Sequence, residues 1–147
     1  MTRVRAASAA DLTIIGGILG RCGLPADDIG DGRVSFLVAE DGGKIVGTIG
    51  MESHPPLGLL RSAAVNPRSR RRGVGRLLVA ELIERARKDG LGGLVLLTTT
   101  AEKFFRDAGF ATIDRGSLTG PVLGSGQFTG TRCASAAVMM MDLGGSR

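Results

Sequence analysis

Apolar positions along the chain follow two periods, and the switches between them mark the elements. Leu12, Ile15, Leu19 and Cys22 recur at helical spacing and predict an amphipathic helix over 9–22. Ser8-Ala9-Ala10-Asp11 fits a capping box at its start, with Ser8 as the cap and Asp11 reaching back. Val74, Leu77, Leu78, Leu82, Ile83 and Ala86 describe a second helix over 74–88, closed by Gly90. A third, short helix is expected from Thr100 to Ala108, ended by Gly109.

Between the helical stretches lie β-rich runs. Val4 to Ala6 reads as a short first strand. Ser35–Glu40 and Lys44–Glu52 flank Asp41-Gly42-Gly43, a hairpin signal. Pro55-Pro56 stops the second run, and Leu57–Val65 supplies a third strand. Leu94–Thr98 is a continuous apolar run suited to a buried parallel strand. Phe110–Asp114 and Ala136–Leu143 read as the closing strands, while Gly23–Gly32 reads as a loop and Gly116–Gly130 as a loop or loose helix. The pattern predicts an α+β domain spanning 1–147, built on one mixed, mostly antiparallel sheet with flanking helices.

Composition narrows the class. A chain of 147 residues, 43% hydrophobic and 22% charged, buries a core without staples. No run of about 18 apolar residues spans a membrane, and the first residues carry no signal-peptide block, so a cytoplasmic protein is expected. Cys22 and Cys133 are too few for a disulfide framework or a zinc site, and no metal is implied. The net charge of +5 is rich in Arg, which suits phosphates and carboxylates. With 3% aromatics and neither Trp nor Tyr, base-stacking platforms are nearly absent, so nucleic acid is not the expected partner.

The most informative segment is Asn66-Pro67-Arg68-Ser69-Arg70-Arg71-Arg72-Gly73-Val74-Gly75-Arg76, between an expected strand and an expected helix. Glycines there let backbone N–H groups converge on an anion. Five arginines crowd the end of a helix whose dipole is already positive, a local cost that a bound polyanion reverses. The spacing is neither a Walker loop nor Gly-x-Gly-x-x-Gly. Local physics leaves three readings open: a phosphate-ligand loop, a tight turn with solvated arginines, and a cluster that holds nucleic-acid phosphates.

Arg70-x-x-Gly73-x-Gly75 resembles the Arg/Gln-x-x-Gly-x-Gly/Ala loop of the GCN5-related N-acetyltransferases (the GNAT superfamily). Leu60–Pro67 is similar to the strand before that loop, and Phe104-Phe105-Arg106-Asp107-Ala108-Gly109-Phe110 to the family's Phe-Tyr-x-x-x-Gly-Phe segment. The resemblance implies an acetyl-CoA-dependent acyltransferase whose parallel central strands splay apart. It implies main-chain contacts to the cofactor from Ala63, Ala64 and Val65, and a pyrophosphate cradle from Arg70, Arg71, Arg72, Gly73, Val74, Gly75 and Arg76. Leu59-Leu60-Arg61-Ser62, Leu96–Ala101 and Cys133-Ala134-Ser135-Ala136 resemble the acetyltransferases of bacterial arsenic-resistance operons. The first two strings also resemble amino-acid acetyltransferases of the N-acetylglutamate synthase type. Dimers are common among similar proteins, so a homodimer is an option.

Acetyl transfer to an amine needs a proton acceptor, a donor to the thioester oxygen and an exit for the thiolate. Glu52 is the candidate base, with His54 two residues on; Val65 N–H is the candidate oxyanion donor. The break at Asn66-Pro67 suggests main-chain groups free of ladder bonds. Phe105 stands where the family places its tyrosine acid, so the thiolate leaves unaided or by way of Ser, Thr, water or Cys133. Arg61 and Ser62, facing Thr98 and Thr99, are candidates to hold an acceptor carboxylate, with Arg132 a second cationic candidate. A structural ion pair is the competing reading of Arg61. The expected substrate is a small, anionic amino-acid-like amine. A non-catalytic CoA- or polyanion-binding protein is the alternative of a different class.

Overall fold

The computed structural model describes residues 2–70, 72–129 and 135–144. Arg71, Arg132 and Cys133, all singled out above, lie outside the described residues. Among the described residues there are seven strands and four helices: β1 (Thr2–Ala6), α1 (Leu12–Arg21), β2 (Val34–Asp41), β3 (Lys44–His54), β4 (Leu57–Val65), α2 (Val74–Lys88), β5 (Gly93–Thr98), α3 (Glu102–Asp107), β6 (Ala111–Ile113), α4 (Gly126–Thr129) and β7 (Ala137–Asp142). Hydrogen-bonded neighbours run in the order β1-β2-β3-β4-β5-β7-β6. The mixed, mostly antiparallel α+β architecture expected from the pattern is the one observed. The chain forms two compact units, Met1–Glu52 with Leu60–Glu84, and Ser53–Leu59 with Arg85–Arg147.

In the first unit, β1 lies antiparallel to β2, and β2 to β3. Gly42 and Gly43 turn the β2–β3 hairpin at φ +60° and +81°, which only glycine adopts at little cost. The capping box forms: Ser8 N–H donates to Asp11 Oδ2 at 2.7 Å. It opens a single 3-10 turn, Ala9–Asp11, and α1 proper begins at Leu12. Asp11 also receives Arg5 across two bonds, of 2.8 and 3.2 Å. Ile15, Ile18 and Leu19 of α1 pack with Val34, Phe36 and Val38 of β2. Gly47 is the close-approach point for α2, since a Cβ there would sit 3.1 Å from both Val74 Cγ1 and Leu78 Cδ1.

In the second unit, β4 begins parallel to β5, with Leu57, Gly58 and Leu59 opposite Gly93, Leu94 and Val95. That pairing ends at Leu59, and Leu60 onward belongs to the first unit. β7 inserts antiparallel between β5 and β6, a crossover the residue pattern did not reveal. The segment after β6 resolves into 3-10 turns at Arg115–Ser117 and Pro121–Gly124, followed by α4. Leu118 and Val122 from it close a core with Leu59, Val95 and Val138. No helix among the described residues is long and apolar enough to cross a membrane.

Candidate active site

The loop after β4 is shaped by one proline and one glycine. Pro67 opens a single 3-10 turn, closed by Ser69 N–H on Asn66 O at 2.8 Å. Arg70 leaves it extended, and Gly73 at φ +80° redirects the chain into α2. The first bond into the helix is Leu77 N–H to Gly73 O at 3.1 Å. The amides of Val74, Gly75 and Arg76 precede it and have no helical carbonyl one turn back. Val74, 3% exposed, anchors this end in the core, while Arg72 and Arg76 are exposed around it. A Cβ at Gly73 would meet nothing within 4 Å, so the approach is open and the glycine is required by its φ rather than by space. Three helix-end amides beside exposed guanidiniums suit a pyrophosphate.

Two main-chain and side-chain details differ from expectation. Asn66 N–H is not free of the ladder: it donates to Val46 O at 2.7 Å, so the break in β4 begins at Pro67. Arg70 turns back along the strand instead of outward. Its Nε donates to Val65 O at 3.2 Å and one terminal nitrogen to Cys22 Sγ at 3.3 Å. Cys22 itself lies 3.5 Å from Val65 O, so the end of β4 is tied to the end of α1. Ala64 is buried with the first unit's core. Any contact Ala64 makes with a ligand is therefore through the main chain, while Ala63 is half-buried.

The candidate base sits in an ion cluster. Glu52 on β3 is 6% exposed and Arg61 on β4 is 5% exposed. One terminal nitrogen of Arg61 donates to Glu52 Oε2 at 2.8 Å. The same guanidinium grips Asp28 through two bonds of 2.7 Å, a bidentate fork. Burial alone would lower the Arg61 pKa, but the hydrogen bonds it donates to Asp28 and Glu52 outweigh that and raise it. Arg61 Nε donates to Ser62 Oγ at 3.1 Å. Ser62 holds the left-handed backbone at φ +56°, among the described residues the one non-glycine with positive φ. Such a conformation costs about 1–3 kcal/mol and persists only where the surroundings impose it.

Glu52, Arg61 and Ser62 thus come together as the residue pattern suggested, while Asp28 was missed. Asp28 sits in the Gly/Pro-rich loop between α1 and β2, 33 residues before its partner, and nothing local signals the pairing. Thr98 and Thr99 belong to the second unit; Thr98 Oγ1 accepts Ala101 N–H at 3.0 Å ahead of α3, and Thr99 is exposed. His54 ends β3 in the same unit. Phe105 is buried edge-to-face between Phe104 and Phe110, with ring centroids 5.1 and 5.8 Å apart. It packs, and it offers no proton. Among the described residues no group of three or more His, Cys, Asp or Glu is placed to hold a metal ion.

Residues 19–110 match the model of a family described as the acetyltransferase (GNAT) family. A sequence search of curated proteins finds no match. Among solved structures, N-acetylglutamate synthase from Neisseria gonorrhoeae, complexed with coenzyme A and N-acetyl-glutamate, superposes with a TM-score of 0.83 at 22% identity. That match covers 97% of this chain and 35% of the synthase, so the chain spans about a third of that protein. Rv2747 from Mycobacterium tuberculosis, in complex with CoA, gives 0.79 at 23% identity, covering 95% of this chain and 98% of that one. The ribosomal-protein-S18-alanine N-acetyltransferase of Escherichia coli gives 0.78 at 17% identity, covering 100% and 97%.

Proposed function

The chain belongs to the GNAT acetyltransferase family, acyltransferases that draw on acetyl-CoA, and we propose that it acetylates the amine of a small, anionic amino-acid-like acceptor. The observation that carries the acceptor side is the buried pair of Glu52 and Arg61: a proton acceptor and a guanidinium fixed side by side on adjacent strands. Acetyl-CoA supplies the activated acetyl thioester. The N-terminal amides of α2, with Arg72 and Arg76, hold its pyrophosphate, and Val65 N–H polarises the thioester carbonyl. Arg71 belongs to the same cradle by the motif.

Glu52 takes the proton that the amine must lose as its nitrogen bonds the acetyl carbon and the carbon–sulfur bond breaks. Arg61 holds Glu52 in place, and through the same guanidinium orients an acceptor carboxylate. With Phe105 in the tyrosine's place and no tyrosine in the chain, the sulfur departs as thiolate and takes its proton from water.

Within this class the strings around Arg61 and Thr98 resemble both the arsenic-resistance branch and N-acetylglutamate synthases. Glutamate and arsenic- or phosphorus-containing amino acids therefore belong in one acceptor panel. A cytoplasmic location, where CoA thioesters are made, fits this reading. The test is thiol release from acetyl-CoA across that panel, with spermidine and an N-terminal peptide as competitors. Anionic amino acids should give the highest kcat/KM, and Glu52→Gln should lower kcat about 10²-fold while acetyl-CoA still binds by calorimetry. A better rate on spermidine or the peptide refutes the acceptor class.

A further inference from the structure

The fork of Arg61 is filled by a carboxylate that the chain itself supplies. Asp28 Oδ1 and Oδ2 each lie 2.7 Å from a different terminal nitrogen of Arg61. That is the two-bond arrangement a substrate carboxylate makes with an arginine. The two carboxylates on Arg61 are not equivalent. The Glu52 side chain is 8% exposed and comes from the middle of the sheet, whereas the Asp28 side chain is 42% exposed and comes from a loop. Asp28 is the nearer of the two to water, since 42% of its side chain is exposed, and a released carboxylate there can be hydrated. The loop need not unfold to allow it. Ile29, 9% exposed, sits in the core beside Asp28, so the backbone stays anchored while one short side chain rotates.

We propose that Asp28 is a specificity-determining residue that occupies, in the free chain, the Arg61 fork an acceptor carboxylate takes on binding. The exchange conserves charge. One carboxylate leaves the guanidinium as another arrives, and Glu52 keeps its partner throughout. An acceptor that offers an amide or nothing at that position cannot make the trade. It would leave a buried arginine short of one anion, so Asp28 stays in place and the acceptor is held off. The strained Ser62 serves the same geometry, because its Oγ takes Arg61 Nε and leaves the terminal nitrogens to the carboxylates. This inference rests on the proposed anionic acceptor and goes beyond it by naming the group that the acceptor displaces.

The experiment has two arms, on the full chain as wild type, Asp28→Asn and Asp28→Gly, each first shown to be folded by far-UV circular dichroism. In the first arm, sodium formate is titrated against sodium chloride at equal ionic strength while melting temperature is read. Formate should raise the melting temperature of the two variants, with a saturable dose dependence, and leave wild type on the chloride curve. In the second arm, KM is measured for L-glutamate, its α-amide and its γ-amide. The KM for glutamate should fall about 10-fold in the variants, because no carboxylate of the chain has to leave the fork. If formate acts no differently from chloride on both variants, the fork does not exchange and the proposal is overturned. If wild type discriminates glutamate from its amides and the KM for glutamate is the same in both variants as in wild type, the acceptor class stands and the role of Asp28 falls. If wild type treats glutamate and both amides alike, the anionic acceptor itself falls, and Asp28 with it.

Discussion

Replacing Arg61 with Met is the most informative single perturbation, because the structure fixes its size. The guanidinium is 3% exposed and makes three charge-assisted bonds of 2.7–2.8 Å to two carboxylates. Met preserves most of the apolar stem, so the loss is that of the charge. The partners then differ in fate. Asp28 at 42% exposure can turn to water, and its part of the loss falls in the range of about 0–1 kcal/mol measured for exposed pairs. Glu52 at 8% exposure has no such exit, and a buried carboxylate stripped of its cationic partner costs about 3–5 kcal/mol. For a chain of this size each kcal/mol moves the melting temperature by about 2–4 °C, so Arg61→Met should melt about 6–20 °C below wild type.

Urea unfolding followed by far-UV circular dichroism measures the effect, since the chain has neither Trp nor Tyr for intrinsic fluorescence. The second half of the test is a double-mutant cycle. If the cost is a stranded carboxylate, Arg61→Met/Glu52→Gln should be more stable than Arg61→Met, with a coupling of about 1–3 kcal/mol. A loss below about 1 kcal/mol for Arg61→Met at unchanged m-value would refute the reasoning, as would a double variant weaker than the single one. Either result returns Arg61 to the role of a guanidinium held for ligands alone.

Three further outcomes are expected. Gly73→Glu should abolish acetyl-CoA binding by calorimetry in a folded protein, because it puts a side chain at φ +80° and a like charge beside the helix-end amides; retained affinity would remove the loop from the cofactor site. Gly50→Ala should destabilise by about 1–3 kcal/mol in urea, since its Cβ would meet Val34 Cγ1 at 2.8 Å and the Phe36 ring at 3.0 Å. The hydrogen bond from Arg5, then that from Ser8 N–H, holds the Asp11 carboxyl below the usual carboxylate range. A depressed carboxylate stabilises fully above its unfolded value near pH 4, and that contribution is lost as pH falls through the folded value. Asp11→Asn should therefore be less stable than wild type at pH 7, and the gap should close steadily below about pH 4; a constant gap down to pH 2 would show that Asp11 acts by packing.

The parts of the fold legible in the residues were those set by local chemistry. The capping box at Ser8, the double-glycine hairpin turn at Gly42-Gly43 and the bounds of β4 and α2 all follow from neighbours a few positions apart. What stayed hidden was non-local. The insertion of β7 between β5 and β6 is a choice among apolar strands of similar character. An unbroken apolar run carries no register mark, because Val138, Met139 and Met140 suit either face. Asn66 looked unpaired because Pro67 follows it, yet proline removes only its own donor and leaves the preceding amide free to bond Val46.

The candidate site shows the same division, with a consequence for acceptor choice. Glu52 and Arg61 were each singled out by type and place, one as a candidate base and the other as a candidate anion clamp with an ion pair as its competing reading, but charge type alone does not say that they are each other's partners. Paired, they alter one another. A guanidinium that already carries Glu52 and Asp28 presents an arriving acceptor carboxylate with two like charges at its terminal nitrogens. An anionic acceptor is favoured only when one of the two protein carboxylates yields, and the difference in exposure, 42% against 8%, selects Asp28 as the one. Under the proposed exchange, the loop that carries Asp28 decides whether Arg61 acts as a structural counter-ion or as a substrate clamp. On the proposed function, acceptor specificity then resides in that loop as much as in the sheet that bears Glu52.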